Sequence, residues 1–213
     1  SLSAPSRLLD ARFELVDFVG RTTELTDLAA WRDNPALRWA VQLVHGPGGQ
    51  GKTRLVAQFA AASATTGWRV VRARHASVLD HAASEKPPPG PLKGLLVVVD
   101  YAERWPTEHL LRFLADARLR PGCPVRVLLL ARPAGVWWQG LRHELSKAAD
   151  GVDDLALGPA APTESERIAA FDAAAARFAR VLGVAGTAGI RAPRMAGDAW
   201  RLVLTVHMAA LAA

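Results

Sequence analysis

The sequence predicts an α/β fold in which a five-stranded, mainly parallel sheet is flanked by helices and followed by a small helical lid. Up to Pro162, short apolar runs alternate with segments of helical spacing, which is the order that a parallel sheet with crossover helices requires. A glycine-rich turn separates the first apolar run from the helix after it. Beyond Pro162 the composition changes to alanine-rich segments of helical character.

The first half of the chain predicts two helices and two strands ahead of a proline-rich loop. TTELTDLAAWRD has helical spacing with Thr22 or Thr23 as its cap, and KTRLVAQFAAASAT is a second helix that ends at Gly67. The apolar runs WAVQLVH and WRVVRARH are predicted strands. The three consecutive prolines of ASEKPPPGPLKG exclude a helix or a central strand, and they therefore indicate a surface loop.

The second half of the sheet region predicts three more strands. LLVVVD is apolar on both faces, as a central parallel strand requires, and VRVLLLAR and DDLALGP follow it. The helices between them are WPTEHLLRFLADARLR, which Pro121–Gly122 closes, and WWQGLRHELSKAA. We expect Trp137 and Trp138 to pack this last helix on the sheet, with a partner-binding surface as the alternative.

The lid is predicted to contain two helices. TESERIAAFDAAAARFARVLG opens with the capping pattern Thr163-x-x-Glu166 and ends at Gly183. A final apolar helix starts near Trp200. We therefore expect a sheet domain at 1–162 and a helical lid at 163–213.

The composition indicates a protein of the cytoplasm. No apolar run reaches the roughly 18–20 residues that span a bilayer, and no charged-then-apolar leader opens the chain, so we expect neither a membrane span nor secretion. Cys123 is the single cysteine, which excludes an internal disulfide and a cysteine-based metal cluster. Because the chain starts at Ser1 and its last residues resemble the middle of a helix, we expect a truncated lid and further domains of a larger protein.

The charge of the chain raises the question of nucleic-acid binding. The formal net charge is +6, and 22 of the 26 basic residues are arginines. The arginines are scattered, however, and no basic run with interleaved aromatic residues occurs. Nucleic acid is therefore not an expected partner of this part of the protein.

A phosphate-binding motif lies between the first strand and the second helix. Gly46-Pro-Gly-Gly-Gln-Gly-Lys52-Thr53 matches the pattern G-x-x-x-x-G-K-[ST]. Glycines let backbone N–H groups point at phosphate oxygens, and the helix that follows adds the partial positive charge of its first turn. Lys52 is expected to reach the β- and γ-phosphates, and Thr53 to ligate Mg²⁺. The predicted nucleotide contacts of this loop are Gly46, Gly48, Gly49, Gln50, Gly51, Lys52, Thr53 and Arg54.

Three further residues are expected at the carboxyl ends of buried strands, where ligands of open α/β sheets bind. Asp100 ends LLVVVD and would hold Mg²⁺ through its waters. Glu103, three residues later, would orient or deprotonate the attacking water, with an ordinary surface acid as the alternative. Arg132 ends VRVLLLAR and would contact the γ-phosphate, with a capping or solubilising arginine as the alternative.

The order of these motifs resembles the STAND class of P-loop NTPases, which are signal-transduction ATPases related to the AAA+ proteins. The segments that carry the resemblance are FVGR at Phe18–Arg21, GPGGQGKTRL, LLVVVDYAE and VRVLLLARP. The spacing of DYAE, with its second acid three residues on, is closer to the NACHT type than to the paired acids of NB-ARC. The resemblance implies that Phe18 and Val19 contact adenine and that Arg21 lies near the nucleotide or braces the loop. It also assigns Arg132 the role of γ-phosphate sensor.

The resemblance implies an ATP- and ADP-binding switch with slow Mg²⁺-dependent hydrolysis. ADP would hold core and lid closed, and ATP would permit self-association of the full protein and signalling through its other domains. The class usually carries a Gly-x-Pro motif in its lid, whereas this chain has WRLVLTVHMAAL, so no lid contact to the nucleotide is carried over. His207 in this segment is expected to be a packed core residue rather than a phosphate contact.

Two other functions share the same phosphate-binding motif. A P-loop kinase of small molecules would need a mobile, arginine-bearing lid, which the stiff PPP loop does not suggest. An AAA+-like ring ATPase or a nucleic-acid-associated ATPase would need an arginine finger, for which Arg104 and Arg142 are loose candidates. The sequence has no Asn/Thr-Lys-x-Asp guanine-reading motif, which favours ATP over GTP.

Overall fold

The computed structural model describes two compact units of this chain. The described residues are 9, 16, 20–73, 92–116, 119, 122–132, 134–184, 187 and 189–213. The sheet unit comprises Thr23–Gly46 and Val56–Ala156. The helical unit comprises the described residues of Ser1–Thr22, Pro47–Leu55 and Leu157–Ala213. The predicted division of the chain at residue 162 stays a prediction.

The sheet unit is built on five parallel strands. The strands are β1 Trp39–His45, β2 Trp68–Ala73, β3 Gly94–Val99, β4 Val125–Ala131 and β5 Gly151–Ala156. Their spatial order is β2-β3-β4-β1-β5, so β4 lies between the strand that precedes the glycine-rich turn and the strand that precedes Asp100. All residues of β3 and β4 are buried, as their continuous apolar sequences predict. The predicted five-stranded parallel α/β fold is confirmed.

Six α-helices accompany these strands in the described part of the chain. They are α1 Thr22–Asp33, α2 Lys52–Thr65, α3 Thr107–Leu114, α4 Gly135–Leu145, α5 Glu164–Leu182 and α6 Val203–Ala212. None of the described helices is both long and apolar enough to cross a bilayer.

Several helix boundaries differ from the predictions. Helix α4 spans Gly135–Leu145 where WWQGLRHELSKAA was predicted, and α6 begins at Val203 rather than near Trp200. Helix α1 already begins at Thr22, so both predicted cap residues lie in its first turn. Helix α3 ends at Leu114, well before Pro121. Its last turn tightens because the N–H of Ala115 is shared between the carbonyls of Leu111 and Phe113, which ends the α-helical hydrogen-bond pattern.

One hydrophobic core lies in the sheet unit on the side of α3 and α4. Leu110 and Leu114 of α3 and Leu141 of α4 belong to the same buried cluster as alternate residues of β1, β3 and β4. Trp138 is buried in this cluster and Trp137 packs against it. The prediction that the two tryptophans attach their helix to the sheet is confirmed.

The helical unit has a separate core between α5 and α6. Phe171 and Phe178 of α5 are buried together with Val206 of α6. The predicted capping box of α5 is present, because Thr163 Oγ1 accepts a hydrogen bond from Glu166 N and the Glu166 carboxylate accepts one from Thr163 N. The elements predicted for the lid are thus present.

Candidate functional site

The glycine-rich turn between β1 and α2 has the backbone shape of a phosphate-binding loop. Gly49 and Gly51 adopt φ angles of 81° and 80°, which side-chain-bearing residues rarely adopt. Helix α2 begins at Lys52, and Leu55 N donates to Gly51 O at 2.9 Å in its first turn. A phosphate is bound by the N–H groups of a first helical turn and by a glycine backbone with positive φ angles. We call residues Gly46–Thr53 the P-loop.

Arg21 braces this loop from the N-terminal side. Its guanidinium donates to Gln50 O at 3.1 Å and to Gly158 O at 2.6 Å, and the residue is buried. Arg21 itself has φ 64°, in the left-handed region that costs about 1–2 kcal/mol for a side-chain-bearing residue. The resemblance left two positions open for Arg21, and the observed one is that of a brace.

The first turn of α6 lies against the P-loop. Leu204 N donates to Gly49 O at 3.3 Å. A Cβ at Gly49 would lie 3.1 Å from the Cβ of Leu204, so only glycine fits between this turn and the loop. The C-terminal helix therefore reaches the P-loop without the Gly-x-Pro motif. Sequence reasoning missed this contact because no local signal links WRLVLTVH to a loop so far along the chain.

Lys52 of the P-loop and Arg54 just after it both donate to backbone carbonyls of the helical unit. Lys52 Nζ donates to Pro47 O at 2.9 Å, within the loop itself. Arg54 donates to Val16 O, and Thr53 is half-buried in the first turn of α2. Gly48 is exposed at the tip of the loop. Gln50 is buried, and its Oε1 has no hydrogen-bond partner among the described residues.

His207 packs in the helical unit as a neutral side chain. Burial lowers its pKa to about 4, and the positive charge of Arg54 adds to this shift. A histidine with this pKa carries no charge near pH 7 and offers a phosphate no ionic attraction. The expectation of a packed residue agrees with this environment.

Asp100 and the residues after it turn sharply at the end of β3. Asp100 Oδ1 accepts a hydrogen bond from Tyr101 N at 2.9 Å, and Tyr101 has φ 55° in the left-handed region. A short 3₁₀-helix, Ala102–Arg104, follows immediately. The guanidinium of Arg104 stacks over the Tyr101 ring at 4.3 Å. This turn places both acids of DYAE at the carboxyl edge of the sheet, which we define as the edge where the parallel strands end.

Glu103 and Arg132 meet at this edge. Glu103 Oε1 accepts a hydrogen bond from Arg132 N at 3.4 Å, and Arg132 O accepts one from Gly46 N at 2.7 Å. The backbone of Arg132 therefore links the first glycine of the P-loop to Glu103, while its side chain is exposed. Glu103 Oε2 is buried without a hydrogen-bond partner among the described residues, so this carboxylate keeps an acceptor that they do not satisfy.

Comparisons with known proteins place the fold. No protein-family model matches the sequence, and no curated protein matches it. Among solved structures, the ORC2 protein of Aeropyrum pernix in its ADPNP–ADP complexes is 15% identical over 78% of this chain and 54% of its own, with a TM-score of 0.50. The ADP form of that protein is 17% identical over 83% and 56%, with a TM-score of 0.50. NtrX from Brucella abortus is 16% identical over 95% and 53%, with a TM-score of 0.53.

The chain shares its α/β fold with these solved structures. At this level of identity the likeness concerns the fold alone, and this chain spans about half the length of these solved structures. The strands that end just before Gly46, Asp100 and Arg132 are neighbours in the sheet. Phe18 and Val19, the predicted adenine contacts, lie outside the described residues.

A polar cluster beside the P-loop strand was not predicted. His45, the last residue of β1, pairs with Asp154 of β5 at 3.2 Å between Nε2 and Oδ2. Trp138 Nε1 and Arg142 also bind the Asp154 carboxylate, and Arg142 reaches Asp153. Burial raises the pKa of Asp154, but the hydrogen bonds from Trp138 and His45 outweigh it, so the pKa lies below its usual value. Because Arg142 is engaged within its own chain, its use as an arginine finger would first require breaking these pairs.

Proposed function

We propose that this chain is the nucleotide-binding module of a signalling switch of the STAND class, which binds ATP and ADP and hydrolyses ATP slowly with Mg²⁺. The observation that carries the proposal is the link Gly46–Arg132–Glu103, because it connects the start of the P-loop, a candidate γ-phosphate sensor and an acid with an unsatisfied oxygen. A P-loop serving only as a structural turn would have no need of such an acid. The nucleotide complexes of the Aeropyrum pernix ORC2 protein, which has a similar fold, also support it.

Each residue of the proposed site has a distinct task. Lys52 would leave Pro47 O and neutralise the β- and γ-phosphates, while the N–H groups of the P-loop bind their oxygens. The Thr53 hydroxyl and the Asp100 carboxylate suit Mg²⁺, which prefers oxygen ligands and retained waters. When bound, Mg²⁺ would draw negative charge from the phosphates. Glu103 would accept a proton from the attacking water, and Arg132 would contact the γ-phosphate.

The contact between Leu204 and Gly49 supports a switch rather than a simple turnover enzyme. A shift of the Gly49 carbonyl on nucleotide exchange would break or remake its hydrogen bond to Leu204 N, and helix α6 would follow. The first turn of α6 would thus respond to the P-loop without itself touching phosphate. We propose that this movement controls self-association of a larger cytoplasmic protein through domains outside the sequence described.

The nucleotide carried by the purified protein tests the proposal. After denaturation, chromatography is expected to show stoichiometric ADP, and Lys52→Ala is expected to lower ADP affinity at least about 100-fold because the loop loses its main phosphate charge. Lys147→Ala, which removes an exposed lysine of another surface, is the control and should bind ADP normally. Unchanged ADP binding by Lys52→Ala would refute the phosphate site.

Hydrolysis is tested separately with Glu103→Gln. This variant keeps the shape of the side chain but cannot accept a proton, so we expect ATP to bind normally and turnover to fall about 100-fold. Glu108→Gln on the exposed face of α3 is the matched control. Wild-type turnover by Glu103→Gln would remove Glu103 from the reaction. Phosphate transfer from ATP to a metabolite instead of water would favour the kinase alternative.

A further inference from the structure

A charged cleft lies at the amino edge of the sheet. We define this edge as the one where the parallel strands begin. It has a volume of about 190 Å³ and is formed by the end of α1 and the starts of β2, β3 and β4. Its charged and aromatic lining consists of Arg32, Asp33, Trp68, Lys93 and Arg126. All of these residues belong to the sheet unit.

Arg126 is the most unusual residue of this cleft. It is only 1% exposed, yet no carboxylate of the described residues lies within ion-pair distance of it. Its guanidinium donates to the carbonyls of Trp31 at 3.2 Å, Val125 at 3.1 Å and Asn34 at 2.9 Å, and it stacks on the rings of Trp31 and Trp68. These bonds close the carboxyl end of α1 and use three of the five N–H groups of the guanidinium.

The three carbonyl groups therefore stabilise the charge of Arg126, but no carboxylate within ion-pair distance among the described residues neutralises it. Burial lowers the pKa of Arg126, and the more distant carboxylates of Asp150 and Asp33 only partly offset this effect. A fully buried cation normally has an anionic partner, because its desolvation is costly without one. An anion in the adjoining cleft would supply that partner.

The other charged residues of the cleft do not supply an anionic partner for Arg126. Asp33 already binds Arg32 through both carboxylate oxygens, at 2.9 and 2.5 Å, and the hydrogen bond from Arg32 holds the pKa of Asp33 below its usual value. Lys93 is exposed and makes no ion pair with a described residue. The cleft thus holds three cationic side chains against one carboxylate, and Trp68 lies between Arg32 and Arg126 with its ring facing both.

We propose that this cleft is a binding site for a small free oxyanion carrying one phosphate or carboxylate group. Its volume is below the roughly 300–1,000 Å³ of pockets for drug-sized ligands, so it suits a group of a few atoms. Strands of six or seven residues, each rising roughly 3.3 Å, separate it from the carboxyl edge by roughly 20 Å. A nucleotide bound at the P-loop cannot reach it, so the site is independent of the proposed function.

The test uses the full chain with the P-loop disabled. In a Lys52→Ala background, inorganic phosphate and, separately, acetate are titrated while the indole N–H resonance of Trp68 is followed by NMR, after assignment with Trp68→Phe. We expect saturable shifts of this resonance with at least one of the two anions. Adding Lys93→Glu should weaken binding about tenfold, because it reverses a charge at the cleft, whereas Lys147→Glu should change it less than about twofold.

Two results would overturn the proposal. One is the absence of any saturable shift with either anion in a protein whose circular dichroism is normal. The other is equal weakening by Lys93→Glu and Lys147→Glu, which would mean an adventitious ion only, attracted by net charge. Lys93 is chosen as the test position because it is exposed, so its replacement leaves the fold intact. Arg126 is buried, and its replacement would also disturb the fold.

Discussion

Strand β4 carries an arginine at each end, and the two residues serve opposite purposes. Arg126 at the amino end is buried and binds three carbonyl groups, two of them from the end of α1 and the residues that follow it. Arg132, just beyond the carboxyl end, is exposed, and among the described residues it binds others through its backbone only. Their sequence contexts, VRV and LAR, differ little.

The difference follows from the direction of the helices in a parallel α/β fold. Each crossover helix starts near the carboxyl edge and ends near the amino edge, so N–H groups accumulate at one edge and carbonyl groups at the other. An arginine at the amino edge finds carbonyl partners within the protein. An arginine at the carboxyl edge finds few, and its charge remains available for a ligand.

The largest effect expected from this comparison concerns stability. Arg126→Met should lower the free energy of unfolding by about 3 kcal/mol, because the buried carbonyl of Val125 and the partly buried carbonyls of Trp31 and Asn34 lose a donor. Arg132→Met should change it by less than about 0.5 kcal/mol, as exposed replacements usually do. Urea unfolding followed by circular dichroism measures both. Equal losses would show that the two ends of β4 do not differ as described.

His207 is a second buried base, and unlike Arg126 it can lose its proton when it is buried. The pKa of His207 falls from 6.5 to about 4 on folding, so the unfolded chain takes up a proton at a higher pH than the folded one. Stability linked to His207 is therefore complete above pH 6.5 and declines as the pH falls toward 4. Between pH 7.5 and pH 5 the loss should be about 2 kcal/mol.

The control for this effect is His207→Leu, which has no titrating group. Its unfolding free energy, measured by urea at the same two pH values, should fall by clearly less than that of the wild type. A pH dependence that is identical in both proteins would assign the acid loss to other groups and show that His207 stays accessible to protons.

The smallest of these effects concerns the exposed arginine. If Arg132 contacts the γ-phosphate, Arg132→Met should lower ATP turnover about tenfold while ADP affinity stays within about twofold, because ADP lacks that phosphate. Arg112→Met on the exposed face of α3 is a control that also removes one positive charge. Equal affinity loss for ADP and ATP would instead indicate that the Arg132 side chain supports the shape of the nucleotide site rather than contacting the γ-phosphate.

The features that were predictable from the sequence are those with local causes. The apolar runs of β3 and β4 predicted buried strands, and Thr163 with Glu166 predicted the start of α5, because the relevant partners lie within a few residues. The role of Arg126 was not predictable. In VRVLLLAR it is a polar residue within a strand, and its partners Trp31 and Asn34 lie 95 and 92 positions earlier.

The candidate site divides in the same way. The P-loop and the two acids of DYAE follow from residue type and spacing, whereas the brace by Arg21 and the contact of Leu204 with Gly49 depend on tertiary packing. The end of α3 at Leu114 was likewise not predictable from the sequence. Its sequence continues with helix-forming residues, and the tightened turn at Ala115 that ends it has no marker such as glycine or proline.

The pairing of β1 has a consequence for how the chain acquires its structure. The strand is an early segment, yet it pairs only with β4 and β5, and its start is held by Asp150 Oδ2, which accepts from Arg38 N and Trp39 N across 112 and 111 positions. Such distant pairings give a high contact order, which slows folding. During synthesis the apolar β1 must wait until β4 and β5 have left the ribosome, and it is exposed to premature aggregation during that time.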